Sequence, residues 1–282
     1  MSETPVEAED ASSEATMPPR PPRRTMEILI GCAILGVVVC AVGTTVGVIY
    51  TGVAGIATLG AKARATQEQM AREEARATQD AQSLQATAEA ASTWPAVVLD
   101  SFDSNEHLWI TGRVEFDSAV LSRRLEDGAY RWEATAKDSF MEIAFLDSDP
   151  LSDFYLAVTV QRSGGKGESG AGVVFRVEDE WYGGYYFFYV NSTGQFALWY
   201  WDGADWTGLI PESTSHAIST EGPNRLEVSS DGDWIRMLIN GEFVGDIADS
   251  RQPSGTVGLA IEMYAAGDQV LYEFDDFELR AP

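Results

Sequence analysis

The sequence predicts a mainly β fold, a two-sheet antiparallel sandwich, preceded by a transmembrane helix and a helical stalk. Three observations carry this. From Ala96 onward, short runs of alternating polarity are separated by turn residues, with no long helical pattern among them. Ile28–Ala61 holds no charged residue in 34 positions, more than the ~20 helical residues that a bilayer core requires. Between the two, Lys62–Ser92 is rich in Ala, Gln, Glu and Arg and free of Gly and Pro, a composition of strong helix formers.

Residues 1–27 read as a disordered tail. Met1–Met17 is polar and acidic without periodicity, and an extended basic stretch, "PPRPPRR" (Pro18–Arg24), follows. Residues 28–61 comprise a spanning helix, Ile28 to about Tyr50, and a Gly/Ala extension, with Tyr50 at the interface. A cleaved signal would have an apolar region of only about 7–15 residues, so an uncleaved anchor is expected. Arg20, Arg23 and Arg24 stand just before the helix, whereas Lys62 and Arg64 follow only after the extension. The positive-inside rule then places the N-terminus in the cytoplasm and the C-terminal domain outside, in a single-pass cell-membrane protein. Gly43 and Gly47 form a G-x-x-x-G, which admits a weak homodimer through this helix or the stalk.

Residues 62–93 are the stalk. "ARATQ" occurs at Ala63–Gln67 and again at Ala75–Gln79, and only Met70 and Leu84 are large and apolar, so there is no heptad seam. At 1.5 Å per residue the stalk reaches at most about 46 Å. Pro95 closes it, because the residue before a proline resists the helical conformation.

Residues 94–282 are the β-sandwich. The predicted strands are Val97–Phe102, Ala129–Ala136, Phe140–Leu146, Phe154–Gln161, Ala171–Val177, Gly184–Val190, Gln195–Trp201, Arg225–Ser230, Trp234–Ile239, Glu242–Ile247, Thr256–Tyr264 and Val270–Leu279. Asn240-Gly241 and Asp231-Gly232 are hairpin signals, which make Arg225–Ile247 a three-strand meander. Ser192–Gly194 closes an aromatic hairpin, and the glycine-rich "SGGKGESGAG" (Ser163–Gly172) reads as a flexible hairpin loop.

Composition limits function. The chain has 44 acidic and 19 basic residues, a net charge of −25, which repels nucleic acid and anionic lipid headgroups. Cys32 and Cys40 are the two cysteines. They lie about 12 Å apart along one helix, too far for a bridge within it, and the sandwich therefore needs no disulfide. With His107 and His216 as the two histidines, a histidine-rich metal centre is excluded. No cofactor is expected. Calcium is the one ion left open, with Asp147 and Asp149, Asp202 and Asp205, or Asp231 and Asp233 as candidate ligands, although none forms a recognised calcium loop. Asn191-Ser192-Thr193 is a glycosylation sequon, relevant in a eukaryotic secretory setting.

"NRLEVSSDGDWIRMLINGEFVGDI", "SGTVGLAI" and "VLYEFDDFEL", with the opening "LDSFDSNEHLW" (Leu99–Trp109), resemble concanavalin A-like jelly rolls of the laminin G-like and keto-disaccharide-hydrolase-like groups. The resemblance covers about 180 residues and rests on turn glycines and strand spacing. It implies two curved sheets, with sugars bound on the concave face or at the loop rim. "EFDDFE" (Glu273–Glu278) is similar to the E-x-D-x-x-E strand of laminarinase-type hydrolases, in which two glutamates act as nucleophile and acid/base. Here the run ends the domain, and Glu278 needs a bulge to share a face with Glu273 and Asp275. These acids are expected to be solvated, and no catalytic residue is assigned.

The candidate binding residues come from the aromatic hairpin. Alternation sets Tyr185, Phe187 and Tyr189 against Tyr186, Phe188 and Val190, and sets Phe196, Leu198 and Tyr200 against Ala197, Trp199 and Trp201. A sandwich strand buries one face, and Phe187 and Leu198 are the expected core residues. That leaves Tyr186, Phe188, Trp199 and Trp201, with Asp202, Asp205 and Trp206 on the next loop, as a surface for a glycan: rings stack on sugars and carboxylates accept their hydroxyls. A loop or the stalk covering that surface is the other explanation. The expected function is recognition of a glycan or polysaccharide outside the cell. A structural or sensory protein-interaction module is the alternative, and a glycoside hydrolase-like enzyme stands third.

Overall fold

The computed structural model describes residues 90–178 and 183–282, with Gln67, Met70, Ala71, Gln82 and Ala86, which are helical. The expected tail, spanning segment and G-x-x-x-G pair lie outside the described residues, as does most of the stalk. Among the described residues, no helix is long and apolar enough to cross a membrane.

The strands form two antiparallel sheets packed face to face as a jelly-roll sandwich. Numbered in chain order, the nine-stranded sheet runs β13 (Glu242–Ala248), β12 (Trp234–Ile239), β11 (Asn224–Asp231), β6 (Phe154–Lys166), β15 (Gln269–Arg280), β4 (Ala129–Ala136), β3 (Ala119–Glu126), β2 (Gly112–Glu115), and β1 (Ala96–Asp100) also pairs with β15. The six-stranded sheet runs β10 (Trp206–Thr214), β9 (Gln195–Trp201), β8 (Tyr185–Asn191), β7 (Ser169–Val177), β14 (Thr256–Met263), β5 (Phe140–Phe145).

Each predicted strand falls on an observed one, and the meander is β11, β12 and β13. Three strands escaped the sequence reading: β2, β3 and β10. The β3–β4 turn is Asp127-Gly128, with φ of 54° and 71°, a hairpin signal of the same kind as Asn240-Gly241, with φ of 52° and 77°. The glycine-rich stretch is mostly strand. β6 runs to Lys166 and β7 begins at Ser169, so the turn itself is only Gly167-Glu168.

The inner faces meet in one core, in which Leu121, Trp132, Leu156, Val158, Phe175, Leu198, Leu226, Leu259 and Phe274 are buried. β15 keeps its inner face apolar through a bulge. The register shifts between Asp275 and Glu278, and Asp276 takes φ 49°. The extra residue lets Phe274, Phe277 and Leu279 all point inward and puts Glu273, Asp275 and Glu278 on the outer face.

Two buried arginines tie the layers. Arg123 on β3 reaches Glu142 on β5 at 2.8 Å. Burial pushes the Glu142 carboxyl up from its ordinary value, and Arg123 opposes that shift. Arg176, at φ 52°, donates to the carbonyls of Ser152 and Gln252, each at 3.1 Å, to that of Gly232, and to Ser230 Oγ at 2.6 Å, pinning three loops at one end of the sandwich. On the outer face of the larger sheet, the helix end at Ala91 packs with Trp94 on Tyr155 and Ala157. Arg280 Nη1 donates to the Trp94 carbonyl at 2.9 Å.

Candidate functional site

β8, β9 and β10 form a meander at one edge of the smaller sheet. The loop Ser192–Gly194 fixes the register: Phe188 faces Leu198, Phe187 faces Trp199, and Tyr185 faces Trp201. Cross-strand partners share a face. The set of candidates read from the sequence is therefore divided. Tyr186 and Phe188 lie with Leu198 and Tyr200 in the core between the sheets, fully buried. This corrects their assignment to a ligand surface. Phe187, expected in that core, lies on the outer face, because the core position of Leu198 dictates that of Phe188 and excludes its neighbour.

Trp199, Trp201 and Trp206 do share the outer face, with Tyr185, Phe187, Tyr189 and Ala197. Trp206 pairs with Trp201 across β9–β10, with ring centroids 5.2 Å apart, and stands edge-on to Tyr185 at 5.6 Å. The Trp199 indole lies over Gly208. A Cβ there would meet its ring carbons at 3.3 Å, so glycine sets how flat the ring lies. Phe187 and Tyr189 are stacked at 4.8 Å and buried, and Trp201 is buried as well, at 4% exposure, which removes it from the expected ligand surface; Trp199 and Trp206 are half-buried.

Asp202 and Asp205 are exposed in the β9–β10 turn. Asp202 Oδ1 accepts the N–H groups of Ala204 at 2.9 Å and Asp205 at 2.8 Å. These backbone bonds, that from Asp205 first, hold its carboxyl below the ordinary range. One Asp202 oxygen is thus committed to the turn, and Asp205 offers the freer carboxylate.

Across the same face from the tryptophans stands a residue that the sequence reading did not single out. Glu262 on β14 is buried, and Tyr264 donates to its Oε1 at 2.5 Å. Its place on the outer face follows from alternation with Leu259, Ile261 and Met263, which are core. Glycine floors the strand beside it: a Cβ on Gly170 would meet Tyr189 at 2.8 Å and Glu262 Oε1 at 2.9 Å.

The E-x-D-x-x-E residues lie on the opposite side of the molecule. The bulge does unite Glu273, Asp275 and Glu278 on one face, but Glu273 pairs with Arg131 at 3.1 Å, and Glu278 with Arg225 at 2.6 Å and with Arg280. Burial raises the Asp275 carboxyl. Among the described residues, no group of three or more His, Cys, Asp or Glu could hold a metal ion.

This is a sandwich domain with an aromatic outer face on its smaller sheet. Residues 89–280 match the family model of the 3-keto-alpha-glucoside-1,2-lyase-like domain, and the chain belongs to that family. No curated protein matches it. Among solved structures it is similar to the carbohydrate-binding module CBM66 from Bacillus subtilis, at 17% identity over 61% of this chain and 97% of that one, with a TM-score of 0.45. It is also similar to the catalytic domain of an endo-1,3-beta-glucanase (laminarinase) from Thermotoga petrophila RKU-1, at 10% identity over 67% of this chain and 98% of that one, with a TM-score of 0.48. A third similar structure is a Bacillus subtilis protein with a galectin-like fold, at 10% identity over 67% and 97% and a TM-score of 0.47.

Proposed function

We propose that the chain is a single-pass membrane protein whose extracytoplasmic domain recognises a glycan or polysaccharide without turning it over. The observation that carries this reading is the placing of Trp199 and Trp206, both half-buried, on one outer sheet face around the buried Trp201, with Asp205 exposed beside them. Indole rings stack on the apolar face of a sugar while a carboxylate accepts its hydroxyls. A role without turnover is supported by the ion pairs that hold Glu273 and Glu278 to arginines. A polysaccharide pull-down with the full-length chain in detergent tests it. Trp199→Ala and Trp206→Ala should each abolish capture while leaving the melting temperature within about 2–4 °C of the parent, the shift that 1 kcal/mol produces in a domain of this size. Large destabilisation without any glycan capture would instead assign this face to packing against polypeptide, as in a protein-interaction module.

The family match favours a second reading, an enzyme. A ketone at C3 of a glucoside acidifies the C2 proton, and a 1,2-lyase needs a base to take that proton as the C1 substituent leaves. Glu262 is the buried carboxylate of the aromatic face. Release of the C1 substituent from a 3-keto-α-glucoside, lost in Glu262→Gln, is the result that would establish this reading.

A further inference from the structure

At the end of the sandwich opposite Arg176, the two sheets part to leave a cleft of about 200 Å³. Its floor is the core's own edge, Val160, Val190 and Tyr272. Its walls are neutral and polar, from the β6 end, the β8–β9 turn and the loop between β10 and β11. Arg162 supplies the one charged side chain of the lining. It continues the inward-facing row of Phe154, Leu156, Val158 and Val160 beyond the core.

The donors and acceptors of this cleft can be followed one by one. Asn191 and Asn224 are committed to turn contacts: Asn191 Oδ1 accepts from the backbone of Thr193 and Gln195, and Asn224 Oδ1 from Ser219 N–H and Asn240 Nδ2. Ser192 Oγ accepts Ser169 N–H at 3.2 Å, and Ser219 Oγ accepts Gly222 N–H at 2.9 Å. Each hydroxyl keeps its own hydrogen to donate. Arg162 Nη2 donates to the Gly167 carbonyl at 3.0 Å, while its buried Nε has no partner. Among the described residues, no carboxylate pairs with this guanidinium, although acids outnumber bases 44 to 19 in the chain.

We propose that this cleft is a second binding site, for a carboxylate-bearing sugar residue of the uronic acid type. A guanidinium with spare donors takes a carboxylate through two parallel hydrogen bonds, and the hydroxyls of Ser192 and Ser219 suit the hydroxyls of the ring. The volume lies below the ~300 Å³ at which pockets for drug-sized ligands begin, so the cleft takes one sugar residue and not a chain. The acidic field of the molecule opposes an anion only at long range, and salt screens it within about 8 Å at physiological ionic strength. The nearby guanidinium therefore decides. The site is independent of the aromatic face.

Calorimetric titration of the full-length chain in detergent with glucuronate, glucose and acetate tests the proposal. Glucuronate should bind saturably and at least tenfold more tightly than either glucose, which lacks the carboxylate, or acetate, which lacks the ring. Arg162→Gln should weaken glucuronate at least tenfold, and Arg162→Lys, which keeps the charge and loses the fork, should fall between. Trp199→Ala protein is titrated in parallel, so that any heat contributed by the aromatic face is identified and subtracted. After that subtraction, glucose or acetate binding as well as glucuronate, no saturable heat with glucuronate, or unchanged affinity in a folded Arg162→Gln protein would each overturn the proposal. The comparison of the three ligands on the parent protein holds even where a variant fails to fold.

Discussion

Phe188 and Trp199 show how much one residue of register decides. Both belong to the aromatic hairpin, but Phe188 faces Leu198 in the core and Trp199 faces Phe187 outside it. Removing a fully buried phenylalanine leaves a cavity, so Phe188→Ala is expected to cost about 3–5 kcal/mol in a denaturant titration, far more than Trp199→Ala. The sequon is governed by similar detail. Asn191 is buried, its Oδ1 accepts from Thr193 N–H, Thr193 Oγ1 and Gln195 N–H, and its Nδ2 donates to Gln195. Mass spectrometry of the chain expressed through the secretory pathway of eukaryotic cells should find Asn191 unmodified, because glycosylation would have to open the turn. Glu142 sets a pH dependence. Its folded pKa is raised, chiefly by burial, so the stability it contributes is present below the ordinary glutamate value and is lost as pH rises through the raised one. Urea denaturation across that window should show a smaller decline in Glu142→Gln than in the parent; equal declines would exclude this role.

Elements were legible where alternation and turn chemistry agreed. β11, β12 and β13 could be read because Asn240-Gly241 and Asp231-Gly232 bracket alternating runs. β3 hid because Ser122, Arg123 and Arg124 interrupt its apolar pattern, although Arg123 points inward to Glu142. Asp127-Gly128 was the signal that could have found it. β10 carries two register shifts against β9 and a proline, Pro211, on the sheet edge, which breaks strict alternation. The aromatic hairpin held the information to place its own faces. Pairing Asn191 with Gln195 across the three-residue loop aligns Phe188 with Leu198, whereas alternation taken strand by strand does not link the two. Glycine matters at one position in particular: a Cβ on Gly172 would come within 2.1 Å of the Phe188 carbonyl oxygen. Gly172→Ala must therefore part β7 from β8. Its melting temperature should drop well below that of Gly208→Ala, where the added Cβ meets only the Trp199 ring.

For the whole molecule, the sequence specified a two-sheet sandwich through period-two patterning, whereas the binding surface depended on which of two aromatic faces was turned inward. Both faces of β8 are apolar, so composition alone could not choose between them. Glu262 was invisible for a related reason: a single acid in "GLAIEMY" gains meaning only when β14 is set beside β7. The face bearing Trp199 and Trp206 is the proposed glycan surface. Its most direct test is titration of the indole fluorescence of the full-length chain with a panel of polysaccharides, repeated in Trp199→Ala. A glycan-binding face gives a saturable change in emission with at least one polysaccharide, lost in a variant that melts like the parent. A panel that never shifts the emission, or a saturable shift that survives in Trp199→Ala with the same midpoint, would contradict it.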